Sequence, residues 1–240
     1  MLTNDIPIKT PPAFASFLAL LGIFILVNLG LWQLERLEWK QDLITKIEAA
    51  YANDNPPEII LEEKTPEFTY GHITGTFMPD KAFLLGPPII KDETVGYRLI
   101  VPIKTQGQTL PVNMGWTPQS LEAQNIRHLQ GKPIRFTGLL RFFSWNSFTP
   151  QNKPEENIWY RLDIPLIAAS KKLDNPYPAI LLAESSDQTF DPVFFSEESR
   201  QSLRERPNNN HFQYACFWFA MAGALLVIFI LRFMIVRKPH

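Results

Sequence analysis

The 240-residue chain has a single cysteine, Cys216. One thiol excludes an internal disulfide framework, and no Cys-x-x-Cys-His segment is present to attach a c-type haem. Cys216 itself lies in an apolar run, where a small buried or lipid-facing thiol is the plain reading. An excess of either charge is also lacking: 23 Lys/Arg against 24 Asp/Glu leave a net charge of −1. The basic residues are scattered, so nucleic acid is set aside as a partner. Histidine is scarce, four in all, and no two stand at a spacing such as His-x-x-x-His. A zinc or copper site built by this chain alone is therefore not expected. No serine or cysteine sits in a nucleophile elbow, no catalytic glycine-rich loop is present, and no internal repeat stands out.

What the chain does have is two long uncharged runs, Thr10–Leu34 and Pro207–Leu231, each of 25 residues. A helix of about 20 residues rises roughly 30 Å, the thickness of the hydrocarbon core of a bilayer. Two such helices near the chain ends predict two membrane spans, at residues 10–34 and 211–231. The first run is longer than a usual signal-peptide core and no small-x-small pattern follows it, so an uncleaved anchor is expected. It starts too close to Met1 for an Arg- and Ser-rich transit peptide, which favours a bacterial cell inner membrane. The tail at 232–240 carries Arg232, Arg237 and Lys238 without an acid, and the tail at 1–9 carries Lys9 and the amino terminus against Asp5. Positive short flanks stay inside. Both termini are thus expected in the cytoplasm, with the central domain, residues 58–206, in the periplasm.

Beyond Leu34 the apolar stripe Leu34, Leu37, Ile44, Ile47, Tyr51 carries the first helix on to about Tyr51. The run Ala52-Asn53-Asp54-Asn55-Pro56-Pro57 ends it. Short segments rich in β-branched and aromatic residues then predict strands at 70–78, 82–86, 97–104, 109–116 and 134–143, with later ones at 159–164 and 179–183. Gly86-Pro87-Pro88, Gln106-Gly107-Gln108 and Gly131-Lys132-Pro133 read as turns, and Lys104 to Thr109 as a hairpin. Short helices are expected at 118–128 and 165–173, each opening with proline. The fold class is a membrane protein of α+β type: two transmembrane helices flanking a mainly antiparallel, barrel-like β domain. Ser144–Asn157 reads as a long polar loop. Glu184–Glu198 reads as an acidic surface excursion in which Asp187, Asp191, Glu197 and Glu198 lack cation-ligand spacing.

Two clusters at the span boundaries can carry chemistry. Trp32, Arg36 and Trp39 recur at i, i+4 and i+7 on one helix face. They form either an interfacial anchor among membrane lipids or a patch that holds a planar, carboxylate-bearing ligand, with Arg36 pairing the acid. At the second boundary Asn210 is placed as a helix N-cap. His211, Tyr214, Ala215 and Trp218 follow at i, i+3, i+4 and i+7. His211 there is either a wet interfacial side chain or a ligand for haem iron, with Tyr214 and Trp218 flanking the ring. Small residues Ala215, Ala220, Gly223 and Ala224 would permit close helix approach.

These boundaries carry a resemblance. Leu29-Gly30-x-Trp32-Gln33-x-x-Arg36-x-x-Trp39-Lys40 resembles the opening motif of the surfeit locus protein family of cytochrome c oxidase assembly factors. Gly75-Thr76-Phe77, Gly96-Tyr97-Arg98 leading to Pro102, and Val112-Asn113-Met114-Gly115-Trp116-Thr117-Pro118 follow in that family's order. So do Thr137-Gly138-Leu139-Leu140-Arg141, then Asn152-x-Pro154-x-x-Asn157-x-Trp159-Tyr160-x-x-Asp163, and Asn209-Asn210-His211 with Tyr214 and Trp218. The resemblance covers about Gly22 to Trp218. Met114 departs from it, standing where the family pattern has arginine.

The resemblance implies a non-enzymatic role in maturing the catalytic subunit of haem-copper oxidase. It implies transient binding of haem a for delivery, with His211 as the axial ligand and haem a synthase as a further partner. A single protein ligand would hold the iron loosely enough to hand it over. The alternative is a structural assembly factor that steadies an oxidase subunit without touching haem.

Overall fold

The structure is a computed structural model, described here for residues 10–53, 55–91, 93–118, 126–143, 145, 147–190 and 209–234. The predicted tails at 1–9 and 235–240 lie outside the described residues, as do 119–125 of the expected helix at 118–128 and 191–198 of the acidic stretch. The chain divides into two compact units, one of residues 10–45 with 209–234 and one of 46–190.

The first unit holds helix α1, Ala13–Tyr51, and a later helix, α3, His211–Phe229. Pro11 and Pro12 set the start of α1, three residues later than the uncharged run begins, and Ser16 closes the first turn onto the Pro12 carbonyl at 3.0 Å. The absence of any proline or glycine pair after Gly30 lets α1 continue unbroken for 39 residues. α3 passes into a π-helical turn at Ile230–Met234. Both helices are long and apolar enough to cross a membrane.

The second unit is built on seven strands: β1 Tyr70–Phe77, β2 Phe83–Lys91, β3 Thr94–Thr105, β4 Gln108–Pro118, β5 Pro133–Arg141, β6 Ile158–Trp159 and β7 Ile180–Ser186. In β1 alternate residues Gly71, Ile73, Gly75 and Phe77 turn inward while His72, Thr74 and Thr76 do not, the period-2 pattern of a half-buried strand. β3 and β4 form the predicted hairpin, with Lys104 opposite Thr109 and Thr105 opposite Gln108. Gln106 and Gly107 turn it with φ of 48° and 75°, the two left-handed positions that a tight hairpin needs.

Pairing runs β1–β5–β7–β4–β3, and β1 pairs again with β3, so these five strands close a ring. β2 and β6 extend outward from β3. Most pairs are antiparallel; β4–β7 and β2–β6 are parallel. Inside the ring Phe77, Phe136 and Phe190 pack with ring centroids 5.8 to 6.1 Å apart, alongside fully buried Leu99, Val101 and Val112. Met114 is also fully buried here. An arginine at this position would bring an unpaired charge into the core, so methionine suits this interior.

Three expectations need correction. The β2 strand does not stop at Gly86-Pro87-Pro88: a bulge between Leu85 and Ile89 absorbs the prolines, and pairing with β3 resumes through Lys91. The strand predicted at 159–164 is only Ile158–Trp159, because Asp163 accepts a hydrogen bond from the Leu166 amide at 3.1 Å and caps helix α2, Ile164–Lys171. Glu184 is no surface residue; it lies in β7, 2 % exposed, with the Tyr70 hydroxyl 3.4 Å away. Of the expected helix at 118–128, Pro118 is the end of β4 and a 3-10 turn spans Arg127–Leu129, with 119–125 outside the described residues.

Candidate site at the helix pair

α1 and α3 meet along small residues. Ala19 and Gly30 on α1 are buried, as are Ala215 and Ala222 on α3. A Cβ at Gly30 would lie 2.6 Å from Cε1 of Phe219, so the missing side chain is what lets that ring approach. Of the four small residues of α3 expected to permit close helix approach, Ala215 is buried at this contact. Ala220, Gly223 and Ala224 are exposed, and Ala222, two turns from Ala215, is the other small residue of α3 that is buried.

One turn along this seam from Gly30 lies Gln33, buried although polar. Its Oε1 is 2.7 Å from Nδ1 of His211, the first residue of α3. With the carboxamide oriented so, Nδ1 carries the proton and donates it. In the neutral imidazole Nε2 is then the lone-pair nitrogen, and it has no hydrogen-bond partner among the described residues. Asn209 donates from Nδ2 to the Leu37 carbonyl at 3.5 Å, a turn further along α1. Asn210 stands at the N-cap position as expected, but its side chain makes no capping bond.

The expected flanking residues divide. Trp218 is half-buried two turns from His211, its indole edge-on to Phe217 at 5.4 Å. Tyr214 is 54 % exposed on the flank of the same helix. Trp32 and Arg36 form a separate arrangement on α1. The Arg36 guanidinium lies over both indoles, 5.8 Å from the centroid of Trp32 and 5.4 Å from that of Trp39. This patch is centred roughly a quarter-turn round the helix from Gln33. Among the described residues no hydrogen bond or ring contact joins Trp32 or Arg36 to His211, Tyr214 or Trp218.

Gln33 stands in the opening motif, where the sequence alone assigns it no role. The signal for it was present: Gly30, Gln33 and Leu37 repeat at i, i+3 and i+7 along the buried stripe, where a polar residue needs a partner.

The remaining motifs act in the β domain. Asn152 accepts at Oδ1 from the amides of Tyr160 and Arg161, both at 2.8 Å. Asn157 adopts a left-handed conformation, φ 56°, and donates to the Ala82 carbonyl. Trp159 is fully buried against Phe83 at 6.0 Å. These residues, with the Asp163 cap, fix the approach to α2.

Comparison with known proteins decides the grouping. The model of the SURF1 family matches residues 20–223. The chain belongs to the SURF1 family. A SURF1-like protein from Rickettsia bellii is 31 % identical over 219 residues, covering 88 % of this chain and 87 % of that protein. A SURF1-like protein from Monosiga brevicollis is 25 % identical, covering 88 % of this chain and 85 % of its own length. Surfeit locus protein 1 from Rattus norvegicus is 26 % identical, covering 86 % of this chain and 71 % of its own. The SURF1 match takes in most of both apolar helices and the whole β ring, so His211, Gln33 and Arg36 all lie within it.

Proposed function

We propose that the protein is a membrane-anchored assembly factor for haem-copper cytochrome c oxidase, binding haem a through His211 and passing it to the catalytic subunit. The observation that carries this reading is the His211–Gln33 pair. A metal-ligating histidine characteristically donates its other ring N–H to a fixed acceptor, which sets the tautomer and aims the free nitrogen. Gln33 fills that acceptor's place, and Nε2 is left as the donor to iron. Membership of the SURF1 family and the imidazole at the end of an apolar helix point the same way. Trp218 would cover one side of the macrocycle, and Tyr214 its edge. Arg36, between Trp32 and Trp39, would meet a ligand carboxylate or lipid headgroups. When bound, haem a would be cargo for the oxidase. The chain's own residues supply one imidazole and an apolar wall. The setting proposed is a bacterial inner membrane, with the β domain in the periplasm and both tails cytoplasmic, and with haem a synthase as the donor.

The test uses detergent-purified full-length protein made in cells that synthesise haem a. The wild type should carry a haem spectrum that His211→Ala abolishes or strongly shifts while the protein stays inserted and abundant. Unchanged haem content in His211→Ala would defeat the ligand role and leave an assembly factor that acts by packing alone. A periplasm-dependent reporter should work when fused after Ser199 and fail after His240; the reverse pattern would overturn the orientation.

A further inference from the structure

Independently of the helix pair, the β domain holds an open cavity of about 410 Å³ beside β2, β3 and the segment leading to α2. That volume is within the range of small-molecule sites. Leu85, Leu162 and Leu182 give it an apolar floor, and Phe143 and Trp145, both more than two-fifths exposed, stand at its rim. Its charges are of one sign: Arg98 and Arg161 line it, with no aspartate or glutamate among the lining residues.

The two arginines differ in how they are held. Arg161 is fixed, donating from Nε and Nη2 to the Thr149 carbonyl at 3.1 and 2.5 Å, while Asn152 accepts its amide. Arg98 projects from β3, half-buried, and its guanidinium makes no hydrogen bond or ion pair among the described residues. Burial pushes it below its ordinary value. Arg141, by contrast, has both Glu67 at 3.1 Å and the Phe68 ring at 4.4 Å. Five N–H donors kept partly from water without an acceptor cost free energy in any folded chain. An unpaired guanidinium over an apolar floor matches the recognition of a carboxylate, which takes two parallel N–H bonds.

We propose that this cavity binds a small amphipathic carboxylate, with Arg98 pairing the acid group, Arg161 adding a second positive charge, and Phe143 and Trp145 at the rim flanking the apolar body. Asn113 and Tyr160 line the same cavity, so three residues of the family-like motifs, Arg98, Asn113 and Tyr160, serve this site.

The test takes full-length protein in detergent, labelled with 5-fluorotryptophan, with the Trp145 fluorine line assigned by Trp145→Phe. The probes are 1-naphthaleneacetate and its neutral amide. The acid should shift the Trp145 line saturably, and the amide should bind about tenfold or more weakly, the loss of a charge-assisted pair. Arg98→Gln should bring the acid down to the affinity of the amide, and Arg98→Lys should retain part of the difference. Equal binding of acid and amide by the wild type, a comparison that no variant's folding affects, would overturn the proposal. So would the lack of any saturable shift with the acid up to about 10 mM, well above the millimolar Kd of the weakest specific sites.

Discussion

Replacing Gln33 by leucine removes the acceptor for the His211 Nδ1 proton while nearly preserving side-chain volume, so it tests the helix-pair site without emptying it. The bond is short, 2.7 Å, and Gln33 is buried. Leucine leaves a half-buried N–H without its acceptor, at a cost of about 1–3 kcal/mol. Loss of such a supporting partner typically weakens a metal site about 10–100-fold, which is about 1.4–2.7 kcal/mol and falls within the same range. A titration of the purified wild type and Gln33→Leu with haem, followed by absorbance, should therefore show the variant's Kd raised by about one to two decades. Gln33→Glu should act oppositely on electronics. A carboxylate acceptor makes the imidazole a stronger donor and should lower the reduction potential of the bound haem while keeping affinity. Gln213→Leu, at an exposed position of α3, serves as the control. The reasoning fails if Gln33→Leu binds within twofold of wild type and Gln33→Glu leaves the potential unmoved. The bond to Nδ1 would then be only helix packing.

Gly138→Ala should damage the β ring. A Cβ there would lie 2.1 Å from the Leu182 carbonyl oxygen and 2.8 Å from Ala183 Cα, all backbone, so β5 and β7 must part by about 1 Å. Overpacking and a lost ladder bond together cost about 3 kcal/mol, or about 6–12 °C in melting temperature; a melt within about 1 °C of wild type would contradict this. Lys171 gives a pH signature. Burial, and after it the neighbouring Lys81 ammonium, lower its pKa in the folded state. The cost of holding the charge is full below that lowered value and is relieved as pH climbs through it towards the ordinary lysine range, because the unfolded chain then binds more protons. Stability relative to Lys171→Met should thus rise between neutral and alkaline pH; a flat or falling difference in chemical-denaturation midpoints would refute it.

The elements that could be read from sequence were those whose signal is local. Alternation of polar and apolar residues marks β1, and Gln106-Gly107 can hardly do other than turn a hairpin. Uninterrupted apolar composition marks both long helices. Gly86-Pro87-Pro88 misled because its turn chemistry is overridden by pairing with a strand ten residues on. Glu184 misled because it sits inside β7 with a hydrogen-bond partner, Tyr70, that lies 114 residues away. At the candidate site His211 could be found from its scarcity, whereas Gln33 needed the partner helix, 178 residues distant, to show why an amide sits on an apolar stripe. Arg98 in its cavity needed the segment near Arg161, which no periodicity links to β3.

The order in which the ring's strands neighbour one another has a consequence for how the chain is made. β7, the last described strand, lies between β5 and β4, which are both complete before residue 142. A chain emerging from its amino end therefore has all but one stave in hand and cannot hoop the barrel until Ile180–Ser186 arrives. Until then the inner edges of β4 and β5 present unpaired backbone, a template for mispairing with other chains. A chain truncated anywhere before Ile180 should lose the whole barrel instead of a single strand, so stops well downstream of the early motifs should be as damaging as stops within them.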